Sequence, residues 1–313
     1  MIRELLRKPW LWSFVAAGLV WLATMAFTGG HGGGQLITAA LTFATFFVIV
    51  GIGQMFVFTL GPGNVDLSIP ATMTLAGSVA MKLMDTQDSM ILIGLVVALA
   101  IGVGVGIFNY ILILGLRIPP IIATLSSSFV ILSAAIAYGR GLRIKPPPLL
   151  AEFTTVQLFG IPVLAICVMV LAALMGVVLH RTVYGRSVTA IGQSFRAAGF
   201  AGIRVERIRF LTYVLCAVLA ALCGYLFSGF SGGSSLSMGE QYLLASIAVV
   251  VIGGTSVAGG NGNLPGLWGA ALFLFLVQSM LNTYQLSAGL RYLATGLIII
   301  AVITAAGGQK TLR

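Results

Sequence analysis

The chain has 313 residues, of which 59% are hydrophobic and only 8% charged, with a mean hydropathy of +1.08; an ordinary soluble domain carries about 25% charged residues. A water-soluble surface cannot be built from that composition. The net charge of +10 does not signal nucleic-acid binding, because the basic residues sit mostly in short segments between apolar runs, where they set membrane orientation.

Apolar runs that cross a hydrocarbon core ~30 Å thick need about 20 helical residues, and lipid tolerates no unpaired backbone, so these runs are helices. Taken in chain order, they predict an all-α polytopic membrane protein with about ten transmembrane helices: 10–28, 36–59, 69–84, 90–114, 119–138, 162–180, 208–229, 242–257, 265–283 and 289–306. The first follows Arg3, Arg7 and Lys8 with no small-residue cleavage site before Gly29, and reads as a retained span. An even number of spans puts both termini on one side, and the positive-inside rule makes that side the cytoplasm. On this reading Arg117 and the Arg-rich stretch 181–209 are cytoplasmic, while Lys82 and the cluster Arg140, Arg143 and Lys145 fall outside, the last against the rule.

Three polar interruptions stand out. GPGNVDLSIP at 61–70 breaks the second span with Pro62 and two glycines. Asp66 or Ser68 can cap the helix resuming near Ile69; alternatively Asp66 is an ionisable group at membrane depth, where such a group marks function. The stretch from His180 to Arg209 contains six Arg and the small-residue helix-turn pattern RAAGFAGI, which makes it a docking element or a solvated basic loop. VVVIGGTSVAGGNGNLPG at 249–266 is a glycine-dense hinge that permits close helix approach.

No catalytic constellation is present in the sequence. His31 and His180 lack metal or triad partners, and Gly308-Gln309-Lys310-Thr311 lacks the upstream glycine of a phosphate loop, so no cofactor is expected on this chain. Cys167, Cys216 and Cys223 lie in apolar runs without metal-ligand spacing and read as small core residues. Polar residues inside spans, Gln54, Asn109, Ser126, Ser127, Ser128, Gln278 and Asn282, are expected to face the bundle interior, as helix-helix hydrogen bonds or as pathway lining. Gln54, Asn64, Asp66, Ser68, Asn109 and Ser126, with Phe58 and Phe129 as aromatic faces, make the candidate pathway set. Gly102, Gly104 and Gly106 offer a smooth packing face with GxxxG spacing.

These stretches resemble the membrane permeases of bacterial ABC importers of the ribose, galactose and xylose type. The resemblance rests on Asn64-Val65-Asp66-Leu67-Ser68-Ile69, on Gly185, Ala190, Ile191, Gly192, Ala197, Ala198, Gly202 and Ile203 in register, and on Val251 to Gly262, three motifs in order over nearly the whole chain. It implies a single permease domain over 1–313 that imports a monosaccharide by alternating access across the bacterial inner membrane, the alternatives being a permease for another small polar solute such as a nucleoside or polyol, or an ion-coupled secondary transporter. ATP and Mg would be bound by a separate ATPase subunit, and the other partners would be a second permease, identical or paralogous, and a periplasmic sugar-binding protein. Gln193, Ser194, Phe195, Arg196, Ala197, Ala198, Gly199, Gly202 and Ile203 are then the coupling segment that meets the ATPase. Two departures bear on this: Phe195 and Arg196 replace a small polar and acidic pair, and Pro70 replaces a glycine.

Overall fold

The structure is a computed structural model that describes residues 9–30, 32–139, 145–284 and 287–306. Arg3, Arg7, Lys8, His31, Arg140, Arg143 and the 308–311 stretch lie outside the described residues.

A helix occupies each of the ten predicted stretches. They are α1 (Pro9–Phe27), α2 (Gly33–Thr59), α3 (Ile69–Met84), α4 (Ile91–Leu114) and α5 (Pro120–Gly139), then α7 (Val163–Arg181), α10 (Val205–Phe230), α11 (Tyr242–Ile252), α12 (Leu264–Thr283) and α13 (Ala288–Ala306). Among the described residues, seven helices are long and apolar enough to cross a membrane. At 16 residues α3 is shorter, and α11 stops at 11 because Gly253 and Gly254 follow, the latter at φ 85°, so the stretch expected to reach 257 ends in a turn.

Three further helices lie in segments without a strong apolar signal: α6 (Pro148–Thr155), α8 (Val183–Gln193) and α9 (Phe195–Phe200). A two-stranded hairpin pairs Gln157 with Pro162 and Leu158 with Ile161, a small exception to the all-helical reading. Its turn, Phe159-Gly160, is left-handed at both residues (φ 52° and 81°), as a tight hairpin requires.

α2 and α10 form the centre. From Ala44 to Thr59 nearly every side chain of α2 is buried, and α10 packs against α2, α3 and α4. Such helices are apolar all round because protein surrounds them, whereas α1, α4, α5 and α7 keep a broad exposed apolar face. α3 fills the space between α4, α5 and α10, while α12 joins α1 to α2. The GxxxG reading holds for two of its three glycines. Gly102 and Gly106 lie against the backbone of Val218 and Val214 on α10, and Gly104 faces open space.

Candidate functional site: a helix-end junction and a buried polar cluster

The three motifs, far apart in sequence, converge at one end of the bundle. α8 leaves α7 through a sharp bend in which the Thr182 hydroxyl accepts the Gly185 N–H at 3.1 Å. Gly185 packs onto the last carbonyls of α7, which leaves no room for a side chain. At its far end α8 delivers Gly192 against the Thr59 carbonyl and the backbone of Gly260, and Gly259 meets Gly61. The Gly260 N–H donates to Thr59 O at 3.0 Å. Gly259 and Gly260 hold φ of 87° and 73°, conformations that favour glycine. The ends of α2 and α8 and the 253–262 turn therefore interlock backbone to backbone.

From that interlock the chain emerges as α9. Ser194 is its N-cap, the hydroxyl accepting the Ala197 N–H at 3.3 Å. Its end is a glycine cap: Gly202 at φ 81°, with Gly202 N–H donating to Gly199 O at 3.0 Å and Ile203 N–H to Ala198 O at 3.1 Å. Ala198 is buried and pins the helix, and Ile203 packs partly against the core. Gln193, Ser194, Phe195, Arg196, Ala197, Gly199 and Gly202 face outward, and Phe200 is 92% exposed. A phenylalanine held open on a segment that also exposes Arg196 and Arg204 is an unusual surface for a polar stretch.

Behind α9, the first turn of α10 is tied to the bundle. Tyr110 on α4 donates to the Glu206 carboxylate at 2.6 Å, and Glu206 pairs with Arg209 at 3.2 Å. Tyr184 on α8 bonds Thr212 on α10 at 2.9 Å; burial pushes its hydroxyl up to about 12, so it stays neutral at physiological pH.

The candidate pathway residues divide between two places. The loop after α2 folds back, so that the Asp66 N–H donates to Gln54 Oε1 at 3.3 Å, about 8 Å inside the end of α2 at 1.5 Å rise per residue. Asp66 Oδ1 accepts the Ser68 N–H at 2.8 Å and the Ser68 hydroxyl at 2.6 Å. Asn109 Nδ2 donates to Ser68 Oγ at 2.8 Å, and the Ser127 hydroxyl donates to Asn109 Oδ1. The Leu67 N–H donates to Thr124 Oγ1 at 3.0 Å, and Tyr213 donates to Asn64 Oδ1 at 3.2 Å. Gln54, Asp66, Ser68, Asn109 and Ser127 are buried, so this cluster ties α2, α3, α4 and α5 together, with α10 joined through Tyr213. Of the two cap candidates, Ser68 is the N-cap residue of α3, without a side-chain cap bond, and Asp66, two residues before it, accepts its N–H and hydroxyl. Among the described residues, Asp66 Oδ2 and Gln54 Nε2 have no protein hydrogen-bond partner.

Phe58 is buried in the core near the end of α2. Ser126 and Phe129 are on the outer face of α5, which corrects the expectation that Ser126 points inward: with Ser127 in the cluster, its neighbour is turned ~100° away. Asn282 is likewise on the surface, and Ser128 and Gln278 are half-buried. Cys216 and Cys223 are core residues as expected, whereas Cys167 is exposed. The sequence reading missed Thr124 and Tyr213, which look like an ordinary helix threonine and tyrosine, and the Tyr110–Glu206 tie. No group of three or more metal-ligating side chains occurs among the described residues.

Comparison with known proteins identifies a family. The family model described as branched-chain amino acid transport system / permease component matches residues 36–303. The chain is 31% identical to the ribose import permease protein of Bacillus subtilis (strain 168), over 82% of this chain and 79% of that protein. It is 30% identical to the fructose import permease protein of Rhizobium meliloti, over 82% and 73%, and 29% identical to an autoinducer 2 import system permease protein of Enterobacter sp. (strain 638), over 86% and 80%. No solved structure matches. With a family match that runs through all three converging motifs and nearly every apolar helix, the chain belongs to the branched-chain amino acid transport system / permease component family of ABC importer permeases.

Proposed function

We propose that the chain is the membrane permease of an ATP-driven importer that carries a monosaccharide, or a small polyhydroxylated solute of similar size, across the bacterial inner membrane. The relatives named for ribose and fructose import support this substrate class. The chain forms one permease domain of ten crossings with both termini cytoplasmic. It pairs with a second permease, identical or paralogous, receives solute from a periplasmic binding protein, and leaves ATP and Mg to a separate ATPase subunit.

The observation that carries the reading is the α8–α9 junction: a capped helix with exposed Phe195 and Phe200, mounted on a glycine interlock between the α2 end and the 253–262 turn. A helix so mounted transmits force. Closure of an ATPase pair against α9 moves α8 and the end of α2 with it, and the Gln54–Asp66–Asn109 cluster carries the displacement to α3, α4 and α5. Solute passes along a face shared with the second permease. The stripe of Ser126, Phe129 and Ser133 on α5 offers hydroxyls and an aromatic ring to such a path, as sugar recognition requires.

The test is reconstitution in lipid with the cognate ATPase and binding protein, measuring ATP hydrolysis and uptake of ribose, fructose and an amino-acid control. Sugar-dependent stimulation of both is the expected result. Uptake by the chain alone under an ion gradient, without ATP, would replace this reading with ion-coupled transport.

A further inference from the structure

At the end of the bundle opposite α8 and α9, an apolar crevice of about 290 Å³ opens between α4 and α7. Ile91 and Leu95 form one wall, and Leu164, Val168 and Leu171 the other. α2 and α10 make the floor through Ile49 and Leu222, while Leu150 and Phe153 of α6 close the end. The α6 roof is fixed in place, since the Leu149 N–H donates to Asp88 Oδ1 at 2.9 Å in the turn preceding α4. Tyr225 brings the one hydroxyl to the lining, and that hydroxyl already donates to Ile91 O at 3.0 Å.

We infer that this crevice binds one acyl chain of a membrane phospholipid. Depth is the first argument: Leu164 to Leu171 spans about 10 Å along α7, within the ~15 Å hydrocarbon half of one leaflet. Chemistry is the second. Apart from the Tyr225 hydroxyl, whose proton is already given to Ile91 O, and the Cys167 thiol, the lining is hydrocarbon, and an apolar crevice of this kind takes a hydrocarbon chain. The third is access, because the mouth holds exposed Phe153 and Cys167 and runs into the exposed apolar surface at Val170 and Leu92, so a lipid enters laterally. With roof and floor already in contact, an entering chain finds a preformed site and not merely a greasy surface.

The experiment places the whole chain in nanodiscs of phosphatidylethanolamine and phosphatidylglycerol doped with a phospholipid bearing a diazirine on its acyl chain, followed by mass-spectrometric mapping of adducts. Adducts concentrate on residues 91–95 and 164–171, and Leu171→Trp, which fills the crevice, lowers them roughly tenfold, the effect of excluding a few buried methylenes. Cys167→Phe at the mouth acts in the same direction, which guards against a folding artefact of either change. Leu174→Trp, on the exposed face of α7, leaves them unchanged. Adducts spread evenly over the exposed face of α7, or indifferent to both fillings, would overturn the inference. So would capture of a second permease chain at these residues in the assembled transporter.

Discussion

Gly192 packs against the carbonyl of Thr59 so closely that a side-chain carbon at position 192 would overlap it, although 132 intervening positions separate the two in sequence. Through that contact the segment leading to α9 is braced on the end of a central buried helix. Gly192→Ala should therefore lower the stability of the purified chain by about 1–3 kcal/mol, the usual cost of overpacking against backbone that cannot yield. Gly199→Ala, with open space where its β-carbon would sit, serves as the matched control and should leave the unfolding midpoint in nanodiscs unchanged.

The GxxxG face of α4 permits a similar contrast within one helix. Gly106→Val drives a branched side chain into the backbone of Val214 and should cost several kcal/mol or abolish folding. Two residues away, Gly104→Val enters open space and should be tolerated. Yield and thermal stability of the two variants report the difference, and equal damage from both would contradict the packing described.

Asp66 acts through its Oδ1 acceptor. Asp66→Ala leaves the Ser68 N–H and hydroxyl without their acceptor in a buried setting, at a cost of about 1–3 kcal/mol and with loss of uptake. Asp66→Asn keeps an acceptor oxygen and carries no charge to desolvate, so it should retain most of both. If the asparagine variant proves stable yet inactive in transport, the ionisable carboxyl itself has a function that hydrogen bonding to Ser68 does not explain.

Tyr110→Phe removes the hydroxyl that ties α4 to Glu206 in the first turn after α9. The carboxylate is partly exposed and stays paired with Arg209, so the stability loss should be small, about 1 kcal/mol. Transport is the more sensitive readout: ATP hydrolysis should continue while sugar uptake per ATP falls. A parallel decline of both would mean that the tie serves folding alone.

Hydropathy made the ten helices legible in the sequence to within a few residues, because spans of about 20 apolar residues have no soluble alternative. The short elements were not legible. α6 and α8 are held by tertiary contact and a bend at Gly185 and not by an apolar run, and the hairpin depends on two left-handed residues. Asp66, Ser68 and the 193–203 stretch were identifiable from residue type and motif. That they form two separate structures, a buried cluster and an exposed helix, depends on loop re-entry that no local pattern encodes. The orientation of Ser126 was missed for a related reason: in a run of three serines, hydroxyl content is equal on adjacent faces, and only packing against Asn109 chooses Ser127.

The central claim is that α9 is where an ATPase subunit engages this permease, and it is tested most directly by a single cysteine. Cys167, Cys216 and Cys223 would be replaced, Phe200→Cys introduced, and the reconstituted transporter treated with a short thiol-reactive crosslinker in the nucleotide-free and ATP-bound states. The account predicts a crosslink to the ATPase whose yield changes with nucleotide, together with at least roughly tenfold weaker ATPase binding in Phe200→Ser, as for an anchor aromatic. An assembled, active transporter that shows no crosslink at position 200 in either state, and is indifferent to Phe200→Ser, would contradict it.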